Sequence, residues 1–254
     1  MNVVGTLGAL VSRPDDQGRR LKQRKPENYY ELIGDDFDRF MSDYDVERRV
    51  VLMRRLWPDD ASGPYLEVGC GTGAVTSGMV DLVAGATVTD ISARLAADVG
   101  SRFGLPHQAA DATALPFADG TFGMVYSSEC IEHTPDPAAA IGEMLRVCRP
   151  GGAVLFTSPN RIWYPVVRSA QVLRLRKFQG NEKFLSADQM VAAVRIGGGS
   201  VAGISGCHLL PWQVPGIKRV LPKADAQGDH LYRFMINIAV CARKNDGRDS
   251  AAMS

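Results

Sequence analysis

Paired cysteines are absent from this sequence. The five cysteines, Cys70, Cys130, Cys148, Cys207 and Cys241, are odd in number, widely spaced and form no C-x-x-C pair. This argues against a disulfide framework and a zinc site, so no metal is expected, and the thiols read as small buried groups in a reducing compartment. A surplus of one charge is absent too: 29 Lys plus Arg face 28 Asp plus Glu, so no global field would hold a polyanion, and nucleic acid is not an expected partner. The opening MNVVGTLGALVSRPDD has no basic n-region, and its apolar run is too short to span a bilayer. The expectation is a cytoplasmic protein without stable membrane insertion. No internal repeat is visible.

What is present suffices for one sizeable core, since 45% of 254 residues are hydrophobic. Residues 1–28, which include SRPDDQGRRLKQRKPEN, are polar and carry too little apolar area to offset their ordering entropy, so they read as a loose arm. From Tyr29 to Trp57 the spacing of Phe37, Phe40, Met41 and Tyr44, then of Val50, Val51, Met53 and Leu56, predicts two amphipathic helices. Strands and helices then alternate: YLEVG, a helix over 72–84, ATVTD, a helix over 92–103, a short strand near HQAAD, FGMVYSS, a helix over 136–148, a RPGG turn and AVLFTSP. Such alternation calls for a parallel sheet covered on both faces.

Later, RIWYPVVRSAQVLRLRKF reads as a basic amphipathic helix whose apolar side roofs a substrate pocket, and SADQMVAAVRI as a helix capped by Ser186. GGGSVAGISG and YRFMINIAVCAR predict two strands without an intervening helix, hence an antiparallel pair at one sheet edge. Residues 244–254 read as a disordered tail. A single domain over 29–243 follows, with cap helices at 29–60, a cofactor-binding core at 61–160, and a cap helix and last strands at 161–243.

The decisive stretch is YLEVGCGTGAVTSGM, where Gly69, Gly71 and Gly73 alternate between a strand and a helix. Ligands of open α/β sheets bind beyond the carboxyl ends of the strands, and glycines let backbone N–H groups approach them. The same letters satisfy a dinucleotide fingerprint, with Asp90 where a ribose-binding acid would stand, so the turn alone leaves the ligand open.

Four ordered stretches go further: LEVGCGTG, VTDIS, ADATALPFADGTFGMVYSSECIEHTPDP and LRVCRPGGAVLFTSPN. Together, over about Tyr65 to Asn160, they resemble the class I S-adenosylmethionine-dependent methyltransferases of the small-molecule group that acts on quinones, lipids and natural products. The resemblance implies a doubly wound, mostly parallel seven-stranded α/β sheet, Rossmann-like, with an antiparallel last strand and a helical cap. It implies S-adenosylmethionine as cofactor, with Glu67 beneath the glycine turn, and Gly69, Cys70, Gly71, Thr72 and Gly73 against the carboxypropyl and ribose parts. Asp90 would accept both ribose hydroxyls, Ile91 would cover one adenine face, and Asp111 and Ala112 would meet the adenine edge. Ser127 and Ser128 would lie below the sulfonium. Tyr44, or Arg48 or Arg49 beside it, would bind the cofactor carboxylate.

His133, in ECIEHTPDP, either removes a substrate proton or caps the next helix and fixes the loop, while Glu132 beside it is expected to be exposed or to take part. His208 and His230 flank a proline-marked insertion and are read as incidental loop residues. Cys130 has no base paired with it, which argues against a covalent mechanism. The expected reaction is methyl transfer to a small, partly hydrophobic acceptor, O-methylation first and C- or N-methylation next, by a monomer or homodimer. A nicotinamide-dependent oxidoreductase shares the glycine turn and Asp90, yet no Tyr-x-x-x-Lys pair follows the fifth strand. A non-catalytic S-adenosylmethionine-binding module is the other alternative.

Overall fold

The computed structural model describes residues 42–173, 182–211 and 216–246, and its elements are numbered within these stretches. The first expected cap helix, the arm and the last residues of the tail lie outside them. Seven strands form one sheet in the order β3-β2-β1-β4-β5-β7-β6. They are β1 (Tyr65–Val68), β2 (Thr87–Asp90), β3 (His107–Ala109), β4 (Phe122–Ser128), β5 (Cys148–Pro159), β6 (Gly199–Cys207) and β7 (Asn237–Lys244). Strands β1 to β5 pair in parallel, whereas β7 runs antiparallel to both β5 and β6. The chain order reverses between β1 and β4, which opens the crevice where ligands of such sheets bind.

Period-two alternation builds the two cores. Val125, Val154, Phe156 and Val240 point to one face, under α4 (Pro137–Val147) and α6 (Ala187–Ile196), through Ile141, Met144, Leu145, Met190 and Val194. Met124, Tyr126, Leu155 and Cys241 point to the other, under α1 (Asp43–Leu56) and α2 (Ala74–Met79), through Met53, Val75 and Met79. Each fully buried side chain of this size contributes about 1.5–3 kcal/mol. α3 (Ala93–Phe103) follows β2, with the Ser92 hydroxyl accepting from the Leu95 amide. α6 begins at the Ser186 N-cap expected from the sequence, and the structure adds a capping box in which Ser186 and Gln189 each accept from the other's backbone N–H.

Several elements differ from the sequence expectation. α2 is shorter than the expected 72–84: it holds Gly78, which costs about 1 kcal/mol in a helix and is required because a Cβ there would press on the Val50 side chain of α1. The RPGG stretch is absorbed into β5, with Gly151 at a positive φ of 73°. The expected basic helix appears as α5 (Tyr164–Val172), none of whose residues is buried. Its expected continuation into RLRKF lies outside the described residues. Two short helices, α7 (Leu221–Asp225) and α8 (Gly228–Leu231), do intervene between β6 and β7, although those strands pair antiparallel as expected.

α1 is the larger surprise. Its buried face consists of Asp45, Arg49, Leu52 and Met53, while Val51 is exposed. An ion pair therefore occupies half of the buried face of this helix.

Candidate active site

β1 ends at the glycine turn, where the Gly69 and Cys70 amides both donate to the Thr89 carbonyl, at 2.8 and 2.9 Å. Gly69, Gly71 and Gly73 all have positive φ, but for different reasons. At Gly69 an added Cβ would overlap the Cys130 side chain, so this glycine serves the packing of the turn against the loop after β4. Gly73 likewise lies against Val99 and Phe103 of α3. At Gly71 a Cβ would meet no protein atom within 4 Å. Only there does the missing side chain leave room for something outside the protein, as a bound ligand's close approach requires.

Asp90 is tied to this turn. Its Oδ2 accepts from the Gly71 amide and its Oδ1 from the Ser92 amide, both at 2.9 Å. Burial pushes its carboxyl above the usual range, and the two amides oppose the shift. An ionised carboxylate offers about four lone-pair sites, so two remain for hydroxyl donors. The adenine-side residues follow through the sheet: Asp90 pairs with Ala109, and Ala110 donates to the Asp90 carbonyl. Asp111 then closes a turn by accepting from the Thr113 amide and hydroxyl, at 2.8 and 2.7 Å. Ala112 is buried and Ile91 half-buried.

Glu67 lies beneath the turn, almost wholly buried. Its Oε2 accepts from the Thr76 hydroxyl at 2.8 Å and the Tyr126 hydroxyl at 3.0 Å. Burial raises its pKa from 4.5 to about 7, against the pull of those two hydrogen bonds. Burial also pushes the Cys70 and Cys130 thiols far up, which leaves neither as a nucleophile.

Across the crevice, the two serines ending β4 act as struts. The Ser127 hydroxyl donates to the Val68 carbonyl at 2.8 Å and so clamps β4 to β1. Ser128 shares a hydrogen bond with the Thr157 hydroxyl and accepts from Arg49 at 3.2 Å. Arg49 in turn pairs with Asp45 at 2.9 Å. Burial alone would raise the Asp45 carboxyl, but Arg49 and His208 outweigh it and hold it below its ordinary value. Tyr44 belongs to this cluster, its ring 5.8 Å from that of His208.

The remaining histidines and Glu132 depart from expectation. His208 is fully buried, 3.0 Å from Asp45, and its amide donates to Asp225, so it is a structural member of the cluster and not an incidental loop residue. His230 is exposed. Glu132 is buried, its Oε2 accepting from the Ser158 hydroxyl at 3.3 Å, because a short 3-10 turn over Ile131–His133 folds it inward. His133 is half-buried with Nε2 3.9 Å from Glu132. Asp136, not His133, caps α4, through the Ala138 and Ala139 amides. Sequence reasoning did not single out Asp45, Glu129, Asp225 or Asn237. Among them Asp45 alone carries a sequence signal, an acid four residues before Arg49, the spacing of an ion pair along a helix.

A family model described as "Methyltransferase domain" matches residues 66–156. The ubiquinone biosynthesis O-methyltransferase of Bordetella bronchiseptica is 31% identical over 181 residues, covering 63% of this chain and 73% of the relative. The chain belongs to the class I S-adenosylmethionine-dependent methyltransferases. A second relative of this methyltransferase, the chloroplastic tocopherol O-methyltransferase of Arabidopsis thaliana, is 35% identical over 101 residues, 37% of this chain and 29% of that protein's length. Among solved structures, a methyltransferase from Thermotoga maritima described as a possible histamine N-methyltransferase superposes with a TM-score of 0.66. It is 17% identical and covers 87% of this chain and all of that one, which shows the shared fold. No described helix is long and apolar enough to cross a membrane.

Proposed function

We propose that this methyltransferase transfers the methyl group of S-adenosylmethionine to an oxygen of a small, partly hydrophobic acceptor. The observation that carries the reading is the coupling of Gly71 to Asp90: open space in front of the one, and a two-amide anchor on the other with acceptor capacity to spare. In this reading Asp90 holds both ribose hydroxyls, Ile91 and Ala112 flank the adenine, and Asp111 meets its edge. Glu67 and the 69–73 turn, with Cys70 and Thr72, support the methionine end, and Ser127 and Ser128 form the floor under the sulfonium. Tyr44, or Arg49, which touches Ser128, binds the cofactor carboxylate. His133 stands on the acceptor side, where it orients the acceptor or takes its proton. The cofactor supplies an activated methyl group, so these residues mainly align the acceptor and exclude water.

The relatives' names, ubiquinone and tocopherol O-methyltransferases, favour a hydroxylated aromatic acceptor with an apolar part. The reading also takes the chain as one domain over 29–243, working in the cytoplasm as a monomer or homodimer, without a nucleic-acid partner. Five free thiols and nearly cancelling charges support it.

Calorimetry with S-adenosylhomocysteine and with NADH tests the cofactor, and transfer of radiolabelled methyl to a panel of phenols tests the reaction. Asp90→Ala should weaken S-adenosylhomocysteine at least about tenfold, since hydrogen bonds to a charged group contribute roughly 1.5–3 kcal/mol each. Unchanged affinity in a folded variant would remove Asp90 from the site.

A further inference from the structure

Glu129 sits where its local backbone disfavours it. It follows β4 at a φ of 52°, one of two non-glycine residues with positive φ among the described residues. Such strain persists only where the surroundings over-determine it, and it gathers at functional sites. Here the surroundings are explicit. The Glu129 amide donates to the Thr157 carbonyl at 3.1 Å, its Oε1 accepts from the Thr157 hydroxyl at 3.0 Å, and its Oε2 accepts from the Asn237 amide nitrogen at 2.8 Å. β5 and β7 thus aim one carboxylate of the loop after β4, and each oxygen keeps acceptor capacity for one further donor.

Its place in the sheet is just beyond the carboxyl end of β4. Asp90 ends β2 on one side of the reversal in strand order, and Glu129 follows β4 on the other, directly after Ser128. Residues 122–127 of β4 are buried, whereas Ser128, Glu129 and Cys130 are partly exposed, so the chain reaches the surface of the crevice as the strand ends. We infer that Glu129 is the general base of the reaction, taking the proton of the acceptor hydroxyl; the assignment rests on the methyl-transfer reading above. As the acceptor oxygen forms its bond to the methyl carbon, its O–H bond breaks and the proton passes to a Glu129 carboxylate oxygen. The electron pair of the breaking carbon–sulfur bond stays on sulfur, which loses its positive charge. Glu129 then returns the proton to solvent.

The charged and titratable groups around Glu129 suit that task. Burial and the Asp45 carboxylate raise its pKa, and Arg49 of α1 opposes them. Glu132 is pushed up as well, by burial first and then by its neighbour Glu129. Cys207 of β6, the remaining titratable neighbour, is held as a thiol by burial.

The test uses the full chain, catechol and the more acidic 4-nitrocatechol as acceptors, and S-adenosylhomocysteine binding as an independent readout. Glu129→Gln should bind S-adenosylhomocysteine like the wild type, yet methylate catechol roughly 10²–10⁴-fold more slowly, with the rise of rate with pH abolished. On 4-nitrocatechol, which ionises near neutrality unaided, the loss should shrink to less than about tenfold, the pattern of a removed base and not of a disturbed fold. Equal losses on both acceptors, or an unchanged rate and pH profile, would overturn the inference. If the glutamine variant does not fold, Glu129→Asp carries the test: it should keep the pH-dependent limb at a reduced rate, and a wild-type rate despite the shorter reach would overturn the inference. Wild-type protein that binds S-adenosylhomocysteine but methylates neither phenol would overturn it together with the O-methylation reading, and absent binding would overturn the cofactor reading itself.

Discussion

Replacing Glu67 by glutamine should remove about 3 kcal/mol of pH dependence from the stability of the ligand-free protein. Glu67 is buried under the glycine turn, and its pKa rises from 4.5 to about 7 on folding. A carboxyl whose folded pKa is raised favours the folded state at low pH, and that contribution is lost as pH rises. The unfolded chain releases the proton from about pH 4.5, while the folded protein holds it until about pH 7. Across this window stability falls by about 1.4 kcal/mol per pH unit, hence by about 3 kcal/mol in all, and levels off above it. The glutamine variant has no such slope. It keeps one oxygen to accept from Thr76 and Tyr126, and whatever its new amide group costs, about 1–3 kcal/mol if left unpaired, is the same at every pH. Urea unfolding of both proteins at pH 5, 6, 7 and 8 separates the two effects. Asp90 and Glu132, also raised by burial, are present in both proteins and largely cancel in the difference. Parallel stability curves from pH 5 to 8 would refute the reasoning, because they would mean that Glu67 ionises in the fold as it does in water.

The glycines of the turn should fail in opposite ways. Gly69→Ala should lose roughly 2–4 kcal/mol of stability, from left-handed backbone and overlap with Cys130, with part of it recovered by Cys130→Ala in thermal melts. Gly71→Val meets no protein atom at its Cβ, so it should fold with at most about 1–2 kcal/mol of backbone strain and yet show no S-adenosylhomocysteine binding by calorimetry. His133→Ala should slow phenol methylation by less than about tenfold and keep the pH profile, because Asp136 already caps α4 and Glu129 takes the proton. A loss of 10²–10⁴-fold with a flattened profile would transfer the base role to His133.

The sheet, and the glycine turn and acid of the proposed cofactor half, were legible in the sequence because each rests on local chemistry. Alternation of two residues per strand and the spacing of helices declare a doubly wound sheet wherever both faces are buried, and β6 and β7 declared their antiparallel pairing by lacking a long helix between them. The turn from Val68 to Gly73 and the acid at Asp90 are readable because a positive φ and a buried two-amide anchor tolerate few residue types. The cluster around Glu129, the proposed acceptor half, was not legible. Glu129 meets Asn237 across 108 residues, and Arg49 meets Ser128 across 79, so no window of sequence contains either pair. Asp45 went unremarked and Arg49 was expected at a cofactor, and both became core residues only because β5, β6 and β7 pack on α1, with His208 and Asp225 facing it. Burial turns ordinary carboxylates into groups with shifted pKa values, and burial is a property of the assembled fold, absent from the order of the residues.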